Sequence, residues 1–132
     1  MGVWVEMSGQ GCRTFESLSA KSWDDLFGWI AIQQLKITRL DVAFDDHTGI
    51  LDIDEVVEDT RRKHYVSRSD YWETVLSSKG STVQIGSPQS KVLVRIYDKA
   101  AERHCEPGTH WVRVEMQLRD DRALQFTKIP MT

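Results

Sequence analysis

Three stretches of this chain alternate apolar and ionisable residues at a period of two, the pattern of an extended strand with one greasy and one wet face. They run from Ile37 to Asp45, from Lys91 to Tyr97 and from Trp111 to Leu118. In the first, Leu40, Val42 and Phe44 oppose Asp41, Ala43 and Asp45. In the second, Val92, Val94 and Ile96 oppose Arg95 and Tyr97. In the third, Val112, Val114, Met116 and Leu118 oppose Arg113, Glu115 and Gln117. Two further strands are expected, Val3 to Met7 and Ser81 to Ile85, the first ending at a turn, Ser8-Gly9-Gln10-Gly11. The second is joined to Lys91–Tyr97 through Gly86-Ser87-Pro88-Gln89-Ser90, a good hairpin connection.

Helix signals separate these strands. Ser22 precedes two first-turn acids and caps a helix expected to run to about Leu35. Asp52 and Glu55 have capping-box spacing ahead of a helix reaching about Lys63, with Val56 and Val57 turned inward. Asp120 opens a short helix, Asp121 to Phe126. The order predicts an α+β fold: a largely antiparallel sheet of about five strands with helices packed on one face. At 132 residues the chain is one domain's worth, 1–132. Met1 lies almost inside an expected strand and Thr132 follows a helix with no closing element, so we expect a fragment of a longer protein.

Charge and composition exclude several classes. No apolar run approaches the roughly 18 residues of a membrane span, and no basic-then-apolar leader opens the chain, so we expect a cytoplasmic protein with no membrane partner. Cys12 and Cys105 belong to no CxxC or Cys/His pattern, which argues against zinc and fits two reduced thiols used as core filler. The net charge is −3, from 17 basic and 20 acidic residues. Eight of the acids fall between residues 41 and 59, where there is no Lys or Arg. Elsewhere the basic residues are in surplus by five, which permits a polyanion-binding surface.

The wet faces carry the chemistry. Any antiparallel sheet with one solvated side looks like this, its charges in cross-strand ion pairs. Yet Asp41-x-x-x-Asp45 puts two carboxylates on one face, at an expected separation of roughly 7 Å along the strand, with only Ala43 between them. With Glu115 they make an all-oxygen set of the type Mg²⁺ or Mn²⁺ prefers. Tyr97 falls between Arg95 and Lys99 by parity, and flanking cations favour a phenolate. An amphipathic tyrosine resting on an exposed sheet fits the same residues. Arg61, Arg62, Lys63 and Arg68 form a basic run, with Tyr71 and Trp72 near enough to stack on bases; a solvated charged face fits them equally.

Five segments in order resemble the replication initiation factor family, rolling-circle initiators of certain plasmids and filamentous phages or prophages. They are Ser8-Gly9-Gln10-Gly11-Cys12-Arg13, Thr38 to Asp45, Gln84-Ile85-Gly86-Ser87, Arg95-Ile96-Tyr97-Asp98-Lys99 and Trp111 to Leu118. The likeness runs from about residue 3 to 126, and the Gly-Cys-Arg segment is closest to phage-type members. It implies a nuclease core that nicks and rejoins one DNA strand at an origin through a 5′-phosphotyrosine link. Tyr97 matches the nucleophile, with Arg95, Lys99 and Arg113 lowering its pKa and holding phosphate oxygens. Asp41, Asp45 and Glu115 match the metal ligands, for Mg²⁺ or Mn²⁺.

The resemblance further implies a single-stranded or cruciform origin as partner, a host helicase, and a homodimer. Many rolling-circle nucleases hold their metal with two histidines one residue apart; His47, His64, His104 and His110 include no such pair, so carboxylates must replace it. Two other functions suit the same residues: a non-catalytic DNA-binding or regulatory module, and a metal-dependent nuclease that uses water.

Overall fold

The computed structural model describes residues 2–130. Its strands are β1 (Arg39–Asp46), β2 (Trp72–Ser77), β3 (Gly80–Ile85), β4 (Val92–Asp98) and β5 (Val112–Arg119). The helices are α1 (Gly9–Leu18), α2 (Trp23–Ile32), α3 (Ile53–Arg61), α4 (Lys99–Glu102) and α5 (Asp121–Phe126). All five strands form one antiparallel sheet in the order β1-β5-β4-β3-β2. Thus α+β with a five-stranded antiparallel sheet is the architecture. Among the described residues no helix is long and apolar enough to cross a membrane.

The count of strands is as expected but one member differs. Val3 to Met7 forms no strand, and Val3, Trp4 and Val5 are 71–94 % exposed. An alternating segment becomes a strand only where a neighbour offers backbone partners, and among the described residues no strand pairs with this one. The glycine-rich stretch after it is not a turn: Ser8 accepts from the Gly11 N–H and caps α1. The fifth strand is instead β2, tied to β3 by a two-residue connection. Gly80, which opens β3, has φ +92°, and an added Cβ would stand 2.9 Å from the Ala101 Cβ. Gly86 closes the same strand at φ +96°, where a Cβ would meet the Val92 carbonyl oxygen at 2.6 Å. Neither site admits another residue without moving backbone.

The chain divides into two compact units. One holds the described residues up to Lys36 and from Leu124 onward. There the Ser22–Asp25 capping box starts α2, and Trp23 stacks against Phe15 and Phe27 at centroid distances of 4.7 and 6.0 Å. The other, Ile37 to Ala123, holds the whole sheet with α3 and α4. Asp52 caps α3 through the Asp54 and Glu55 N–H groups, and α3 lies against β3, β2 and β4. Val56 and Val57 are half-buried, and Thr60 is the helix's buried residue. The fully buried Val83 lies on β3, opposite Ile96 and on the face away from Tyr97. Both cysteines are free, but Cys12 is half-buried and Cys105 exposed, so neither fills the core as expected.

Candidate active site

Directly opposed residues of an antiparallel pair share a face, so the register assembles the wet side strand by strand. Asp41 opposes Gln117, Ala43 opposes Glu115, and Asp45 opposes Arg113. Glu115 in turn opposes Arg95, and Arg113 opposes Tyr97. Gln84 and Glu73 extend the same face onto β3 and β2. The alternation in the sequence therefore places Tyr97, Arg95, Arg113, Glu115, Asp45 and Asp41 on one side of one sheet.

Tyr97 is 8 % exposed and donates its hydroxyl proton to Glu115 Oε1 at 2.7 Å. Arg95 Nη1 lies 3.7 Å from the other oxygen, Glu115 Oε2. Burial first, then this hydrogen bond, pushes the phenol's pKa well above its usual value; Glu102 adds to the push and Arg113 opposes it. Flanking cations do not hold the phenol down as expected. The guanidinium of Arg95 faces Glu115, and Lys99 Nζ is 2.9 Å from Glu102 Oε2. Each of these two cations thus stands beside a carboxylate of opposite charge. Nor does Lys99 continue the strand. It is the first residue of α4, capped by Asp98 through the Ala101 N–H, and is 4 % exposed. Its Nζ still stands 5.5 Å from the Tyr97 ring centroid, and the Arg95 guanidinium carbon 5.7 Å.

Asp45 grips Arg113 with both oxygens: Arg113 Nε donates to Oδ1 at 2.7 Å and Nη2 to Oδ2 at 2.9 Å. Trp111 Nε1 donates to the same Oδ1 at 2.8 Å. Arg113 above all, then Trp111, brings the Asp45 pKa down to about 2, against the cost of burial. The guanidinium is held charged by the same bond, its pKa raised. Trp111 is a member of this site not singled out from the sequence, although it shares the parity of Arg113 and Glu115 at the start of the third alternating stretch.

The three expected metal ligands are not gathered. Asp41 is bound by Arg39 of its own strand, at 2.8 Å (Nε to Oδ1) and 2.6 Å (Nη2 to Oδ2), and both are exposed. Asp45 is filled by Arg113 and Trp111, and Glu115 by Tyr97 and Arg95. Four residues of extended strand, moreover, span ~13 Å, so Asp41 and Asp45 stand farther apart than the 7 Å expected. Among the described residues no group of three or more His, Cys, Asp or Glu side chains could hold a metal ion. The carboxylates as arranged do not fit a shared divalent ion.

His110 has a different use. Its Nε2 is 3.2 Å from Asp46 Oδ2, while Asp46 also accepts from Thr48 and from the Leu51 N–H. That carboxylate ties down the loop after β1 and its pKa falls, chiefly through the Leu51 and Thr48 N–H groups. In the basic run, Arg61, Lys63 and Arg68 are exposed and Arg62 pairs with Glu58 at 2.7 Å. Lys63, Tyr65, Ser67, Ser69, Asp70 and Trp72 line a depression of about 390 Å³. Trp72 opposes Ile85, which opposes Val94, and so faces away from Tyr97. The Tyr71 hydroxyl donates to Glu73 at 3.0 Å.

Residues 35–129 match the family model for replication initiation factors. The chain is 34% identical over 138 residues to a protein of Bacillus subtilis (strain 168) named DNA relaxase NicK, covering 92% of this chain and 39% of that one. A rolling circle replication initiator protein from Geobacillus stearothermophilus superposes with a TM-score of 0.78 at 34% identity, covering 92% of this chain and 49% of that one. The chain thus spans less than half the length of the relatives it matches.

Proposed function

The chain belongs to the replication initiation factor family, and from that premise we propose that it is the nicking and joining core of a rolling-circle initiator, with Tyr97 as nucleophile. The observation that carries this is the 2.7 Å hydrogen bond from Tyr97 to Glu115, on a face shared with Arg95 and Arg113. With its pKa raised, the phenol rests protonated at neutral pH. The attacking form must then be made at the moment of reaction, and Glu115 is the acceptor already in place.

The Tyr97 oxygen attacks the phosphorus of the scissile phosphodiester, and the phenol proton passes to Glu115. A new phosphorus–oxygen bond to tyrosine forms as the bond to the 3′ oxygen breaks. The 3′ oxygen leaves and takes up a proton from solvent, to which Glu115 returns its own, becoming the free 3′ hydroxyl a polymerase extends. Arg113, aimed by Asp45, and Arg95 hold phosphate oxygens and neutralise charge gathering on them. A tyrosyl phosphodiester has about the free energy of the bond it replaces, so the reverse attack rejoins the strand without a nucleotide cofactor.

Incubation of single-stranded origin oligonucleotides with protein, in buffer containing Mg²⁺ or Mn²⁺, tests this directly. The wild type yields a covalent protein–DNA adduct and Tyr97→Phe yields none. Adduct from Tyr97→Phe overturns the assignment. Cleavage without adduct in both proteins indicates water as nucleophile, and binding without cleavage a DNA-binding module.

A further inference from the structure

At the end of the sheet face remote from Tyr97, three basic side chains fall in one row across neighbouring strands. Arg39 on β1 and Arg119 on β5 are direct cross-strand partners. Lys91 stands one step before the Val92–Leu118 pair, and its carbonyl accepts from the Arg119 N–H at 2.9 Å. Like charges set opposite one another across a sheet repel unless something neutralises them. The outer two are neutralised. Arg39 Nη2 is 2.6 Å from Asp41 Oδ2, and Lys91 Nζ is 2.6 Å from Asp121 Oδ1.

Arg119, in the middle, has no such partner. Among the described residues its side chain makes no ion pair, and its Nε is buried without an acceptor. A buried donor on a charged group is costly to leave unmade, and an anion is the chemical species that would satisfy it. Arg113, Glu115, Gln117 and Arg119 all lie on the Tyr97 side of β5, and six residues of strand span ~20 Å. We propose that Arg119, flanked by Arg39 and Lys91, is a phosphate subsite that holds the DNA strand a few nucleotides from the phosphate attacked by Tyr97. This rests on the reading of the sheet face as the nicking site, and names where the substrate strand runs.

Fluorescence anisotropy with single-stranded oligonucleotides, lengthened one nucleotide at a time on each side of the nick, tests it. In the wild type, affinity steps up once one arm is long enough to bring a phosphate to Arg119. Arg119→Gln loses that step, binding long oligonucleotides roughly tenfold more weakly and short ones as the wild type does. Its salt dependence also falls by about 0.7 in the log–log slope, the release of one single-strand counterion. Arg119→Lys, which keeps the charge, keeps most of both. If Arg119→Gln retains the step, or if Arg119→Lys loses it as fully as Arg119→Gln, the subsite is overturned.

These readouts are binding measurements and do not need the strand to be cut. Loss of the step in Arg119→Gln alongside adduct formation by Tyr97→Phe would uphold the subsite and overturn the nucleophile. Retention of the step alongside adduct that requires Tyr97 would do the reverse.

Discussion

The two ends of one sheet face solve the problem of crowded charge in opposite ways. Around Tyr97 every charged group answers another: Asp45 is filled by Arg113 and Trp111, Glu115 by Tyr97 and Arg95, Lys99 by Glu102. Around Arg119 the outer cations are paired and the central one is left open. Mutual satisfaction holds side chains in place before a substrate arrives, which is what a reacting centre needs. An unsatisfied cation makes little sense in a free protein but gains its partner when an anion binds. On the proposed reading, the same face would combine a self-contained cluster for chemistry with an incomplete one for grip.

The largest effect that would break this contrast lies at Glu115. If it takes the phenol proton, Glu115→Gln slows adduct formation by about 10²- to 10⁴-fold while oligonucleotide affinity stays near the wild type's. Single-turnover rates at saturating DNA check both halves of that statement. An unchanged rate would show that the proton leaves by another route.

Next comes the grip of Asp45 on Arg113. Asp45→Asn frees the guanidinium and lowers the adduct rate by at least about tenfold, as expected for a lost charge-assisted bidentate pair. Because Asp45 acts through Arg113, the double variant Asp45→Asn/Arg113→Ala is no slower than Arg113→Ala alone. Additive losses would show instead that Asp45 has its own contact with substrate or ion.

The same pair sets a stability term. The Asp45 pKa is depressed from 3.8 to about 2, so its contribution is complete above pH 3.8 and is lost as pH falls toward 2. With the side chain 31% exposed, that contribution is at most ~2 kcal/mol. Chemical unfolding between pH 5 and 2 should be less acid-sensitive in Asp45→Asn than in the wild type. Smallest is Asp41→Asn. Its partner Arg39 is on its own strand and both are about half exposed, so stability changes by less than ~1 kcal/mol and the adduct rate hardly at all. A large rate loss there would return Asp41 to the reacting centre.

How much of this could be read from the chain alone varies by residue, for physical reasons. That Tyr97, Glu115, Arg113 and Asp45 share a side follows from period-two alternation, and the register bears it out. The caps at Ser22 and Asp52 are local hydrogen bonds between near neighbours, and they too are legible. Val3 to Met7 and Trp72 to Ser77 show the limit. The first alternates well and forms no strand, while the second, outside the alternating stretches, completes the sheet, because a strand is made by its neighbour's backbone as much as by its own side chains. Lys99 misleads for a similar reason: parity holds only while the strand continues, and Asp98 ends it by capping α4.

Alternation, then, settles which side chains of this protein share a face, since the geometry of an extended backbone leaves no other choice. Only the tertiary structure decides which partner each of them takes. Three carboxylates on one side could as well converge on an ion as pair off with arginines. The strand order β1-β5-β4, with its register, sets Arg113 against Asp45 and points the Tyr97 hydroxyl at Glu115. Charge selects the nearest opposite charge, and nearness across strands is a property of the fold.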